Sequence, residues 1–430
     1  MAGLGAARRG VLALGRGVRG GPLSRYAKGL FLIALAVAAA ASLDHMARRE
    51  GEGEYYVVLG TSALGMMLLS SAGELVSLFV ALELTSISLY LLAAFMRGQV
   101  ASQEAGLKYL LIGAFSGALF LFGLSLLYAA TGTTMLSGLT NALAGRATDP
   151  LLLFGLILVL AAVGFKIAAV PFHMWAPDVY EGGPTPMVAF ASTASKAAGF
   201  VVLLRLVLGA LRAFQADWTL ILSVSAALTL VIGSFVAIPQ TNIKRLLAYS
   251  SIAQAGYLLI GFLPGSERGM SAVLFYLLVY LFTNMGAFLV AGILARDSGS
   301  DQITDFAGLA RRSPLLALAM MFCLLSLAGI PPLGGFVGKL YLFAAAMEYP
   351  AKFLWLVVLA VILSIVSLFY YLQVIRQMYI EKPRVSSPVP VGRVAGAALF
   401  VCIAMVVVTG LLPRAFLDVT LDVARRFFAA

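Results

Sequence analysis

Four ionisable side chains, Glu83, Lys166, Lys196 and Lys339, fall well inside long apolar runs. A charge at the centre of a membrane helix costs about 2.5–3.5 kcal/mol on an insertion scale, so four of them need a reason. Snorkelling is poor for Glu83 and Lys196, which sit near the middles of runs 75–96 and 185–211. Lys166 and Lys339 each stand beside a break in the helical pattern, where water can enter. A lysine removed from water gives up its proton more readily, and a nearby carboxylate opposes that. One carboxylate and three lysines placed in this way suit proton movement. Tyr249, Ser250, Ser251, Gln254, Tyr276, Tyr280 and Asn284, together with water, could join them into a path. The competing reading is a set of salt bridges that only pins helices together.

Other polar residues are more ambiguous. His173 follows Pro171 at the first break and reads equally as a proton station or a hydrogen-bonded structural histidine. Lys108 has Glu104 four residues earlier on the same helical face, which suits a surface pair as well as a relay. Glu74 stands at a helix start, where the helix dipole favours a capping carboxylate. Arg205 and Arg376 lie towards span ends and can snorkel, Lys244 and Arg245 read as interfacial anchors, and Gly113-x-x-x-Gly117 reads as a packing face.

The elements that must position these groups follow from composition. Of 430 residues 61% are hydrophobic and 11% charged, against about 45–50% and about 25% in soluble domains. No water-soluble core could bury that fraction, so the class is an all-α polytopic membrane protein. Soluble enzymes, disulfide scaffolds and nucleic-acid binders are excluded. The net charge of +11 is then the basic surplus of membrane-flanking loops. The two cysteines, Cys323 and Cys402, both lie in apolar runs, and the two histidines are His45 and His173. Haem, iron–sulfur and histidine–zinc sites all lack ligands. Gly15-Arg-Gly17-Val-Arg-Gly20 matches a dinucleotide fingerprint in letters only, since no strand precedes it.

About twelve spans are expected, over 29–43, 55–72, 75–96, 107–130, 151–170, 185–211, 218–238, 246–263, 270–294, 314–348, 353–380 and 394–412. The fifth runs into the proline-rich stretch 171–186, beginning at Pro171; the tenth is interrupted by Gly329-Ile-Pro331-Pro332-Leu-Gly-Gly335. Spans two to six and seven to eleven thus form two groups of five, each with a broken fourth member. Five is odd, so the second group lies inverted relative to the first, a pattern of ion and solute transporters. Lysine and arginine number eleven on one set of loops (Arg48, Arg49, Arg97, Lys244, Arg245, Arg296, Arg311, Arg312, Lys382, Arg384, Arg393) and seven on the other, which makes the first set cytoplasmic. The basic N-terminal tail, including Arg8, Arg9, Arg16 and Arg19, runs against that bias. With the short run 29–43 it reads either as a membrane helix or as a signal-like segment. The chain divides into a tail (1–24), a first span and loop (25–54), two five-helix repeats (55–212 and 213–382) and a C-terminal span and tail (383–430).

Several stretches are too particular to be generic membrane sequence: Gly164-Phe-Lys166-Ile-Ala-Ala-Val-Pro-Phe-His-Met-Trp-Ala-Pro-Asp-Val-Tyr180, Thr193-Ala-Ser-Lys196, Asn242-Ile-Lys-Arg-Leu-Leu-Ala-Tyr-Ser-Ser-Ile252 and Ser326-Leu-Ala-Gly-Ile-Pro-Pro-Leu-Gly-Gly-Phe-Val-Gly-Lys339. They resemble the antiporter-like subunits of respiratory complex I, the proton-pumping NADH:quinone oxidoreductase, from about residue 25 onwards. Lysine rather than glutamate at 339 resembles the subunit N branch more than M, and the long lateral helix of subunit L is lacking. The resemblance implies a proton relay of Glu83 (facing a neighbouring subunit), Lys166, Lys196 (bridging) and Lys339 (towards the exit). It implies that NADH, FMN, iron–sulfur clusters and quinone belong to partner subunits, with no cofactor on this chain. It also implies other complex I membrane subunits, lipid, protons and water as partners, no nucleic acid, and a multi-pass place in a bacterial inner membrane. The family's fourteen helices exceed the twelve expected here, by two at the N-terminal end. The same motifs occur in multisubunit sodium/proton antiporters and proton-pumping hydrogenases, which stay open as alternatives.

Overall fold

The computed structural model describes residues 20–47, 50–146, 149–385 and 387–429. All of the fingerprint-like stretch but Gly20, and the basic residues Arg8, Arg9, Arg16, Arg19, Arg48 and Arg49, lie outside the described residues. Eighteen α-helices follow one another: α1 (Pro22–Met46), α2 (Glu52–Ser71), α3 (Leu75–Ala93), α4 (Val100–Thr131), α5 (Leu136–Ala142), α6 (Pro150–Ile167), α7 (Trp175–Gly182), α8 (Thr185–Phe190), α9 (Lys196–Leu203), α10 (Gln215–Ala237), α11 (Ile243–Ile260), α12 (Glu267–Ser298), α13 (Leu309–Arg312), α14 (Pro314–Ala328), α15 (Gly334–Ala346), α16 (Pro350–Tyr379), α17 (Arg393–Leu411) and α18 (Pro413–Phe428). Among the described residues nine helical stretches are long and apolar enough to cross a membrane. The helices α2, α11 and the broken α14–α15 complete the twelve expected crossings; α2 and α11 carry charges at their starts that lower their apolarity.

The first helix is longer than its apolar run suggested. Pro22 opens it at the first turn, where a missing N–H is harmless, and Arg25 and Lys28 fall within it. Its buried face (Ala27, Phe31, Ala34, Ala38) packs into the bundle, and Tyr26 donates to the Leu274 carbonyl at 3.0 Å. It is therefore a helix packed into the bundle, long and apolar enough to cross a membrane. At the other end, α18 is an amphipathic helix that a search for apolar runs misses. Leu417, Thr420, Val423 and Ala424 face inward, and Thr420 hydrogen-bonds Ser271 of α12 at 2.9 Å.

The two halves repeat in detail. In the first, Leu75 N–H bonds the Thr134 carbonyl (2.9 Å) and Leu136 N–H the Gly73 carbonyl (3.1 Å). In the second, Ile243 N–H bonds Asp301 and Ile303 N–H bonds Thr241, both at 2.8 Å. Each half thus has a two-bond bridge from the start of its second helix to the loop after its third. Both broken helices end alike, with Ala168 and Gly329 in the left-handed conformation and a long bond closing the turn, Ala169 N–H to Gly164 (2.8 Å) and Ile330 N–H to Leu325 (3.0 Å). Pro171 and Pro332 each follow the left-handed cap by three residues, so Pro332 rather than Pro331 is the structural counterpart of Pro171.

Polar residues at the span ends are held more firmly than snorkelling requires. Arg205 reaches the Ser70 and Ala72 carbonyls and caps the end of α2. Glu74 stands at the N-cap of α3, yet its carboxylate accepts from Thr134 (3.3 Å) and makes no cap bond to the helix. Ion pairs join residues expected on one side: Arg296 with Asp44 (3.1 Å), Lys244 with Asp301 (2.9 Å) and Arg245 with Asp178 (2.8 Å). The basic surplus predicts this side to be cytoplasmic. Single cysteines at Gln99 and Ser300 should react with an impermeant thiol reagent from the cytoplasm, and one at Asn141 only from outside. Cytoplasmic labelling at 141 would reverse the orientation.

Candidate functional site

Lys166, Lys196 and Lys339 are 2%, 1% and 3% exposed, so none of them snorkels. Among the described residues no carboxylate lies within ion-pair distance of any of the three. Each is held instead by neutral oxygens, and the origin of those oxygens explains the fold around it.

Lys166 ends α6, one residue before its last. Its ammonium donates to Ser86 Oγ at 2.8 Å, and Ser86 stands one turn on from Glu83 along α3. Glu83 is half-buried and acts on Lys166 through the Coulomb field. Its Oε1 is buried with no protein hydrogen-bond partner. The Gly113-x-x-x-Gly117 stretch does bring α4 close to α3, and it also makes room for function-bearing groups. A Cβ at Gly117 would stand 2.5 Å from Glu83 Oε1, and one at Gly113 would strike the Tyr90 hydroxyl. Gly199 of α9 lies against the Lys166 methylenes, one turn beyond Lys196, which brings these two lysines into one neighbourhood.

Lys196 follows a π-helical turn, Ala191–Ser195, a wider turn often found at functional sites. Its ammonium donates to Ser251 Oγ (2.7 Å) and to the Ser251 carbonyl (2.6 Å). Tyr180 and Tyr280 stand beside Ser251, and Tyr109 stands beside Ser195. The hydroxyls of Tyr109, Tyr180, Tyr280 and Ser195, and Asn284 Oδ1, are buried without a protein partner. Buried polar groups in such a cluster are satisfied by ordered water.

From there α11 supplies the spine. Ser250 shares a 2.5 Å hydrogen bond with Tyr371 of α16. Gln254, one turn on, accepts from the Tyr276 hydroxyl (2.5 Å) and donates to the Leu327 carbonyl (3.1 Å). That carbonyl also accepts from Lys339, at 2.8 Å. Lys339 further donates to the Ala328 carbonyl (3.1 Å) and Ser364 Oγ (3.0 Å), and its ammonium lies 4.2 Å from the Tyr257 ring centre. In an unbroken helix the Leu327 and Ala328 carbonyls would accept from residues 331 and 332. Both are proline and have no N–H. Lys339 therefore donates to both acceptors that the break releases, joined by Gln254 at Leu327 and by Ser364 Oγ at Ala328 (2.8 Å). At the first break Trp175 Nε1 takes the Phe165 carbonyl (2.9 Å), while Thr229 and Ser225 of α10 bind the Val170 N–H and carbonyl.

Not every candidate joins this row. Tyr249 is half-buried and packs on the apolar core. Lys108 lies towards the surface, shared by Glu104 (2.7 Å) and Asp178 (2.9 Å). His173 is half-buried beside the exposed Pro171 and Phe172, with Nδ1 lacking a protein partner. Asn284 donates to Ser192 at 2.7 Å, one turn before Lys196. Ser86, Tyr109, Tyr180, Tyr257, Ser364 and Tyr371 were not singled out in the sequence, because hydroxyls inside spans are common; for Ser86 the position one turn from Glu83 was the available signal. The two cysteines, distant in sequence, converge on Gly286, where a Cβ would meet Cys323 Sγ at 2.7 Å and Cys402 Cβ at 3.4 Å.

The sequence profile of the family described as "NADH:quinone oxidoreductase/Mrp antiporter, TM" matches residues 72–366, which contain every residue of the row except Tyr371. The chain belongs to this family. It is 48% identical over 409 residues to NADH-quinone oxidoreductase subunit N of Moorella thermoacetica, covering 95% of this chain and 86% of the relative. It is 46% identical to NAD(P)H-quinone oxidoreductase subunit 2 of Synechococcus elongatus, over 93% of this chain and 79% of that protein. Among solved structures, a chain of respiratory complex I from Thermus thermophilus, with bound aureothin, matches with TM-score 0.80 and 37% identity, over 95% of this chain and 88% of that one. The fold described above is thus shared with that chain over most of its length.

Proposed function

We propose that this chain is a proton-translocating membrane subunit of an NADH:quinone oxidoreductase in a bacterial inner membrane, moving protons along Glu83, Lys166, Lys196 and Lys339. The observation that carries this reading is the row of buried lysines. Among the described residues the three lysines have no carboxylate ion pair; Ser86 holds Lys166, Ser251 holds Lys196, and the Leu327 carbonyl, shared with Gln254, holds Lys339, amid hydroxyls that need water. A lysine solvated by neutral oxygens and water can exist with or without its extra proton, whereas a tight ion pair would fix it in the charged state. Electron transfer from NADH to quinone takes place in partner subunits. They carry the FMN, the iron–sulfur clusters and the quinone site, and this chain holds no redox centre. The resemblance assigns Glu83, half-buried at the middle of α3, to face a neighbouring membrane subunit.

The test is proton pumping by the assembled complex in proteoliposomes, started with NADH and measured with and without sodium. Lys196→Ala should lower pumping by about a hundredfold or more, at the low end of what a positioned proton-transfer group contributes. Assembly, and NADH oxidation by an artificial acceptor, should persist. Normal pumping by the assembled variant would reduce Lys196 to a packing role. Transport that requires sodium would favour an antiporter instead.

A further inference from the structure

The second helix break surrounds the Lys339 ammonium with neutral acceptors on several sides. The Leu327 and Ala328 carbonyls and Ser364 Oγ lie 2.8, 3.1 and 3.0 Å from it, and the Tyr257 ring centre lies 4.2 Å away. Other hydrogen bonds leave these oxygens with lone pairs for the ammonium. Ser364 donates its own proton to the Ala328 carbonyl at 2.8 Å, so towards Lys339 it can only accept. Gln254 donates to the Leu327 carbonyl at 3.1 Å, which leaves that oxygen its second lone pair. Both carbonyls also belong to the last turn of α14, the negative end of its dipole.

The first break is finished differently. There Trp175 Nε1 donates to the Phe165 carbonyl and Ser225 Oγ to the Val170 carbonyl, so neutral donors satisfy the backbone. Lys166 turns instead to Ser86 of α3. At the second break a cation takes that place. Carbonyls at the end of a discontinuous helix, a hydroxyl and an aromatic face are the kinds of group with which proteins hold free monovalent cations.

We propose that the α14–α15 break is a binding site for a monovalent cation of ammonium or potassium size, and that the Lys339 ammonium is its tethered occupant. Contacts of 2.8–3.1 Å suit those ions better than the smaller sodium ion. Lys339 then determines the specificity of this station. It fills the cage with a group that can release a proton, and so excludes alkali cations, which cannot. That consequence rests on the proton-translocating reading; the cage itself does not.

The test is binding of radioactive rubidium, a potassium analogue, to the purified assembled complex without turnover. Lys339→Ala removes the occupant and leaves the oxygens and the ring. Gly329, which lies against the Lys339 methylenes, has no side chain to refill the space. This variant should bind a single rubidium ion more than wild type, displaced by potassium and ammonium and poorly by sodium. Lys339→Met fills the volume without a charge and should bind no more than wild type. Ser364→Ala or Tyr257→Leu, added to Lys339→Ala, should weaken rubidium binding several-fold. Lys339→Ser, whose hydroxyl can donate to one of the carbonyls, is prepared in parallel and carries the same expectation. Both are prepared in potassium, which must fill the emptied cage and support assembly if the site exists; loss of both would overturn the proposal. So would an assembled Lys339→Ala complex that binds no extra rubidium. Equal binding by Lys339→Met, or binding unchanged by Ser364→Ala and Tyr257→Leu, would place the ion elsewhere and overturn it as well. Failure of the relay reads separately, as normal pumping by Lys339→Gln, and leaves the rubidium result untouched.

Discussion

Lys166→Ala is expected to stop most proton pumping and the quinone reductase rate coupled to it, while leaving NADH oxidation by an artificial acceptor intact. The ammonium of Lys166 is the link between Glu83, whose field it feels, and Ser86, to which it donates at 2.8 Å. Without it the carboxylate faces a buried pocket with no cation in place, and the row is cut at its first station. The loss should reach about a hundredfold or more in assembled enzyme, again the low end for a proton-transfer group. Lys166→Arg should rescue only in part, because guanidinium stays charged and cannot release its proton. Glu83→Ala should resemble Lys166→Ala in pumping, since it removes the one carboxylate that acts on this lysine. Gly117→Ala gives a subtler check: its Cβ, 2.5 Å from Glu83 Oε1, must displace the carboxylate, so pumping should fall between wild type and Glu83→Ala. Acidification by proteoliposomes, with a check of assembly, measures all four. A normal ratio of protons to electrons in assembled Lys166→Ala would make the lysine structural and this mechanism wrong.

Lys339 should show a separation between folding and transport. Its ammonium serves the carbonyls of Leu327 and Ala328, which Pro331 and Pro332 leave without N–H partners. Hydrogen bonds to charged groups contribute about 1.5–3 kcal/mol, while Gln254 (3.1 Å) and Ser364 (2.8 Å) still serve the Leu327 and Ala328 carbonyls once the lysine is gone. Lys339→Leu is therefore expected to weaken the α14–α15 junction by about 1.5 kcal/mol, the low end for a charged hydrogen bond, lowering the thermal midpoint and the yield of assembled complex. Lys339→Gln keeps an N–H donor for one of those carbonyls but cannot exchange a proton at neutral pH. It should assemble close to normally and still pump poorly. Thermal unfolding of the purified complex and pumping assays read the two effects independently. If Lys339→Gln pumps normally, the lysine only secures the break; if Lys339→Leu is as stable as wild type, the carbonyls do not depend on it.

The class of the protein was already present in the sequence. A 61% hydrophobic chain with 11% charge admits only a membrane fold, and apolar runs long enough to span force helices, since lipid tolerates no open backbone. Proline and glycine marked both broken helices, because a proline lacks the N–H that a helix requires wherever it sits. Buried charges were equally legible: Glu83, Lys166, Lys196 and Lys339 are conspicuous because their surroundings in sequence are apolar over many residues. What a one-dimensional reading could not supply was the partner of each. Ser86, Ser251 and Ser364 become acceptors only where the packing of three separate helix pairs places a hydroxyl within reach of an ammonium. Amphipathic α18 escaped for a related reason, since its apolar face is a stripe rather than a run and is defined by what it covers. The repeat illustrates the same division. The sequence showed two fives with matching breaks, but it aligned Pro171 with Pro331. The structure aligns it with Pro332, because register at a helix end is set by the left-handed cap at Ala168 and Gly329 and by the bond that closes each turn. Residue types thus settled which charges had to be buried, and tertiary contacts settled which neutral oxygens hold them.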